Sequence, residues 1–149
     1  MNYVPLIVVP TTILILLLVG WMLRRNAAAG WQPLATAFPM TAPPTGQQIR
    51  LTWASIGGSA LVGHKSVVVA NVSPAGLTLQ MPLLAWLCYP AMQIPWSACG
   101  PFTVEKRLIM HTRYTTLVRL PDGNSVAVRI EDAAFARAAQ PWITVGDAR

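Results

Sequence analysis

Acidic residues are nearly missing from this chain: Asp and Glu number 5 in 149 residues, and the first of them is Glu105. Asp122 falls in a PDGN turn, while Glu131 and Asp132 stand at a predicted helix start, where carboxylates meet the positive end of the helix dipole. No carboxylate pair is left over for general acid–base work. Cysteine and histidine are equally scarce, and Cys88, Cys99, His64 and His111 form neither a C-x-x-C nor an H-x-x-x-H pair of the kind a zinc site uses. No local signature gives either cysteine a base, so both are expected to be buried structural thiols, kept reduced in a cytoplasmic domain.

The nearest approach to a nucleotide motif is GSALVGHKS at 58 to 66. A phosphate-binding loop needs Lys directly after Gly and a helix following, but His64 intervenes and the next residues alternate like a strand. These absences predict a protein that is not an enzyme, with no cofactor and no metal.

Charge is also missing over two long stretches, and 54% of the residues are hydrophobic against 11% charged. Val4 to Leu23 carries none, and its 20 residues at about 1.5 Å each just cover a hydrocarbon core of about 30 Å. Tyr3 and Trp21 flank it at headgroup level, and Arg24 and Arg25 follow. The arginines stand on the wrong side for a secretion signal, although AAAG at 27 to 30 imitates a cleavage site. The expectation is a transmembrane anchor at 1–25, N-terminus outside, in a bacterial inner membrane with the remainder in the cytoplasm.

The second uncharged stretch contains LTLQMPLLAWLCYPAMQIPWSAC at 77 to 99. Three prolines interrupt it, and basic residues flank it on both sides, which violates the positive-inside bias in either orientation. Leu77, Leu79 and Met81 alternate with polar neighbours, as do Met92, Ile94 and Trp96, so it reads as two strands joined by an apolar loop. Such a loop needs a cover. Either a partner docks there through Trp86, Leu87, Tyr89 and Met92, or the loop folds back over the open end of its own domain.

Strand patterns recur at 49–55, 66–72, 102–110, 114–120 and 125–130, and a helix is predicted at 131–140, stopped by Pro141. Between anchor and strands, residues 26–48 read as a short amphipathic helix over Trp31, Leu34 and Phe38 and then a proline-rich linker. That helix would either pack on the domain or lie on the membrane surface.

GWQPLATAFP at 30–39, NVSPAGLTLQ at 71–80 and IPWSAC at 94–99 resemble a family of uncharacterised bacterial membrane-anchored proteins with a W-x-x-L-A-x-x-F/Y-P segment and a G-L-x-L to I-P-W-S hairpin. The hairpin with its following strands and helix is similar to bacterial pleckstrin-homology-like (PH-like) domains. The resemblance implies a mainly-β, α+β half-barrel of about seven antiparallel strands over 49–149, closed by a C-terminal helix. It carries over no activity, and Ala98 and Cys99 stand where the family usually shows an acid.

The net charge of +6 raises nucleic acid as a partner, but the basic residues are scattered at alternating strand positions, as on a solvated sheet face. Lys65, Lys106, Arg107 and Arg113 are instead candidates for lipid headgroup contact. The reading that best fits these features is an accessory subunit of a larger integral-membrane complex, photosynthetic or respiratory by analogy alone. The alternative is a stand-alone PH-like module for lipid or peptide at the cytoplasmic face. Neither reading involves nucleic acid or a small-molecule substrate.

Overall fold

The computed structural model describes residues 4–58, 64–65, 67–82, 89–106 and 112–146. The chain begins with a helix, α1, at Val4–Asn26, which widens into a π-helical segment at Ala27–Trp31 and continues as α2, Gln32–Ala37. At about 1.5 Å per residue this rod is about 50 Å long, well beyond the thickness of a hydrocarbon core. From Val8 to Ala37 it is long and apolar enough to cross a membrane.

The expected boundary after Arg25 is therefore not a helix end. Alanines at 27–29 keep the helix running, and Pro33 explains the π segment. A proline cannot donate to the carbonyl four residues earlier, here that of Ala29, and its ring crowds it. The helix widens just before that point, with the Gln32 N–H donating to the carbonyl of Ala27, five residues back. Phe38 ends the helix, and the residues expected to be a short helix in a linker are its last turns.

The remainder is a mainly-β domain of two sheets, neither closed on itself. The strands are β1 (Gln47–Arg50), β2 (Trp53–Ile56), β3 (His64–Lys65), β4 (Val69–Ser73), β5 (Gly76–Gln80), β6 (Met92–Ile94), β7 (Phe102–Lys106), β8 (Thr112–Arg119), β9 (Ser125–Glu131) and β10 (Val145–Gly146). A helix, α3, occupies Ala133–Ala139. One sheet has the order β1-β4-β5-β6 and the other β10-β7-β8-β9-β2-β3, with every pairing antiparallel except β10 with β7.

About seven strands were predicted, and the three further strands have separate origins. Residues 47–56 leave one sheet and enter the other, so the strand expected at 49–55 is two; β3 stands ahead of the strand expected at 66–72 and in the other sheet from β4; and β10 follows α3, where no strand was expected. Arg50 pairs with Val69 and Trp53 with Lys65, so three steps on one segment oppose four on the other. An offset of this kind suits a hairpin that bends between sheets. Asp132 pins the bend to α3: one carboxylate oxygen accepts from the N–H of Ala134 at 2.8 Å and of Phe135 at 2.9 Å, and the other accepts from the Thr52 N–H at 3.1 Å and hydroxyl at 3.0 Å.

The strand expected to reach Trp96 stops at Ile94. Pro95 breaks it and Trp96–Ala98 form a 3-10 turn, with the Trp96 indole donating to the carbonyl of Ser73 at 2.8 Å. The core lies between the sheets, where the alternation along β9 sends Val126, Val128 and Ile130 inward. Phe135 of α3 fills one side of it, its ring centroid 6.3 Å from that of Phe102 and 6.5 Å from that of Tyr114.

Candidate interaction site at the helix–domain junction

The inner part of the helical rod belongs to the domain core. Ala27, Trp31 and Leu34 are all at most 1% exposed, and Ala35 is buried beside them. Close approach depends on two glycines. A Cβ on Gly30 would stand 2.4 Å from the carbonyl oxygen of Ile56 and 2.5 Å from the Cα of Gly57. Gly57 sits at φ +66°, where its own added Cβ would meet the Ala29 carbonyl oxygen at 2.3 Å, and its N–H donates to Ala127 at 2.8 Å. The backbone crowded by Pro33 thus lies directly on the end of β2.

Three polar contacts tie the rod to the chain leading into β6. The Tyr89 hydroxyl donates to the carbonyl of Leu23 at 3.1 Å, and the Trp31 indole donates to the carbonyl of Pro90 at 2.8 Å. The two rings meet edge to face, with centroids 5.4 Å apart and planes at 74°. Beyond the helix, the Gln93 N–H donates to the carbonyl of Phe38 at 2.9 Å, and Pro39 bridges to Met92. The chain after the helix therefore extends the first sheet past β6.

This geometry corrects two sequence expectations. Of the two alternatives for the apolar loop, Tyr89 and Met92 do not fit exposed docking residues: both are 0% exposed and face the chain's own helix and core. Trp86 and Leu87 lie outside the described residues. Arg113, expected at lipid headgroups, is 5% exposed: its guanidinium stands 4.7 Å over the Trp53 ring, and its Nη2 and Nε reach one Glu131 oxygen at 2.6 and 2.7 Å. It is already satisfied by its own sheet face. Lys106 is exposed at the end of β7, Lys65 pairs with Trp53 in β3, and Arg107 lies outside the described residues.

Of the expected membrane anchors, Trp21, Arg24 and Arg25 are exposed, with the Arg25 guanidinium 5.3 Å from the centroid of the Trp21 ring one turn earlier. Tyr3 lies outside the described residues. Sequence reasoning missed the roles of Gly30, Trp31 and Gly57. The available signal was AAAG-W-x-P, small residues and one large anchor ahead of a helix-interior proline, opposite a GG pair at 57–58.

Titratable groups elsewhere point to structure. Burial pushes the Cys99 thiol up to about 11, so at neutral pH it is protonated and a poor nucleophile. Partial burial raises the Asp132 carboxyl, but its bonds from Phe135, Thr52 and Ala134 outweigh that and hold it below its ordinary value. Asp122 is held low by the N–H and then the side chain of Asn124 across the turn. Among the described residues, no three of His, Cys, Asp and Glu gather closely enough to hold a metal ion.

An open cleft of about 340 Å³ lies between α3, β7 and β8, walled by Val104, Tyr114, Ala136, Ile143 and Val145, with Arg137 and Gln140 also lining it. Among the described residues its lining is largely apolar, with Arg137, Gln140 and Tyr114 as the polar side chains and no carboxylate or imidazole. Comparison with protein-family profiles, curated proteins and solved structures finds no match to this chain.

Proposed function

We propose that this chain is a non-enzymatic, membrane-anchored accessory subunit of a larger integral-membrane complex, built so that its domain is held at a fixed place beside the bilayer. The observation that carries the reading is the continuity of the rod. From Val8 to Met22 the helix exposes aliphatic side chains on all sides, Leu14, Leu16 and Leu17 by about two-thirds, and from Ala27 onward the same helix is locked into a protein core. A surface so apolar has to be covered by lipid or by another protein. Because Tyr89 and Met92 are used internally, docking falls chiefly to the exposed flank of α1.

In this reading the helix crosses a bacterial inner membrane with Arg24 and Arg25 on the cytoplasmic side, and the β domain lies in the cytoplasm. The domain is read as a PH-like half-barrel of the family named above. Supporting this are the two long segments that pass between sheets, the pairing of β2 with β9, and the helix that follows β9. The alternative of a stand-alone lipid-binding module is weakened, because Arg113 is engaged by Glu131 and Trp53.

The test is to solubilise native membranes in a mild detergent, fractionate by size and follow the chain by mass spectrometry. Migration with a large complex at fixed stoichiometry is expected. Migration as a free small species would overturn the subunit reading.

A further inference from the structure

The contact between Tyr89 and Leu23 fixes which part of the β domain meets the membrane. Leu23 lies two residues after the exposed Trp21 and directly before Arg24, so its carbonyl marks the headgroup boundary if α1 spans the bilayer. The inference rests on that part of the proposed function.

The chain from Tyr89 to Gln93 runs alongside the helix, fixed near one end at Leu23 and at the other at Phe38. From Gln93, held at Phe38, back to Tyr89, held at Leu23, this chain therefore runs toward the outer end of the helix. The Tyr89 hydroxyl itself reaches the Leu23 carbonyl. Tyr89 and Pro90 precede β6 and Pro82 follows β5, and because Leu79 pairs with Met92 both segments leave the first sheet at the same end, where Pro82 and Pro90 are exposed. Gly57 meets the helix higher, at Ala29 and Gly30, and Lys106 and Arg113 lie at the other end of the second sheet's strands from Gly57.

We infer that the Pro82 and Pro90 corner of the domain rests in the lipid headgroup layer beside α1, a second membrane contact formed by the β domain itself. Its occupant is phospholipid, on two grounds: the surface is continuous with the lipid-facing helix, and Arg24 and Arg25, exposed at the same level, complement phosphate headgroups. Uncharged prolines suit that layer better than the charged end bearing Lys106 and Glu105.

The experiment uses the full chain with Cys88→Ser and Cys99→Ser in vesicles of phosphatidylethanolamine and phosphatidylglycerol. A fluorescent label is placed in turn at Pro90→Cys, Pro82→Cys, Ile15→Cys and Lys106→Cys, and quenched by lipids carrying a nitroxide on the headgroup or deep in the acyl chain. The expected result is loss of most emission at 90 and 82 to the headgroup quencher, at 15 to the acyl-chain quencher, and at 106 to neither. Quenching at 15 without quenching at 90 and 82 would overturn the inference and leave the spanning helix standing. No quenching at 15 would overturn the spanning helix itself, and the inference with it.

Discussion

The two halves of the long helix differ in burial: the outer half is exposed and the inner half is packed into the domain core. From Val8 to Met22 the residues are mostly large, apolar and exposed, whereas from Ala27 to Ala37 they are mostly small, with Trp31 and Leu34 as the only large fully buried side chains. In the proposed reading the outer half lies in lipid, which accepts bulk in any direction, so that half needs no face. A protein core admits backbone at close range on one side only, which selects Ala and Gly there and concentrates the apolar contact in two anchors. The arginine pair separates the two regimes.

Substitutions at matched positions can break this comparison. Trp31→Ala should destabilise the domain by about 4 kcal/mol, since it removes a buried ring and the indole bond to Pro90. Trp21→Ala, on the exposed half, should leave the urea midpoint of the domain in detergent unchanged. Equal effects of the two would mean that both halves see the same surroundings.

Glycine offers the next contrast. Gly30→Ala places a methyl group against the backbone of Ile56 and Gly57 and should lower stability by about 3 kcal/mol. Gly20→Ala meets nothing within 4 Å and should be neutral or slightly helix-stabilising. Denaturant curves of the two variants check this, and the comparison fails if Gly20 is the more sensitive site.

Two smaller effects sharpen the picture of the domain. Arg113→Ala leaves Glu131, with its side chain only 14% exposed, without its cation and uncovers Trp53. The expected loss is about 2 kcal/mol, visible in thermal melts. Asp132→Ala removes the cap of α3 and its link to Thr52, for about 1 kcal/mol at neutral pH. The Asp132 carboxyl is held below its unfolded value, so this stability is fully present above about pH 4 and is lost as pH falls through the folded value. Wild type and Asp132→Ala should therefore converge in acid; a gap that widens there would contradict the assignment.

The sequence made the local periods legible and the long-range cover illegible. Alternation in SVAVRI and YTTLVRL marks β9 and β8, and DAAFARAAQP contains both the cap and the stop of α3. The apolar segment and its arginines are equally plain. What could not be read was the partner of each apolar surface: Tyr89 and Met92 look like an exposed patch until the helix that covers them, about 60 residues earlier in the chain, is in place. Pro39, Pro43 and Pro44 suggested a helix of only one or two turns, yet these turns continue α1, absorb Pro33 through the π segment and end only ahead of Pro39. Arg113 shows the same limit, because an alternating cation reads as solvated until Trp53 and Glu131 arrive from other strands.

The most direct test of the account is a pair of truncations, one chain beginning at Asn26 and the other at Phe38, compared by near-UV circular dichroism and urea unfolding. The first is expected to unfold cooperatively, with the ordered-aromatic signal of Trp31 and Tyr89, and the second to show neither a cooperative transition nor that signal. A chain beginning at Phe38 that unfolds as cooperatively as the longer one would contradict the claim that the inner half of the helix is part of the domain core.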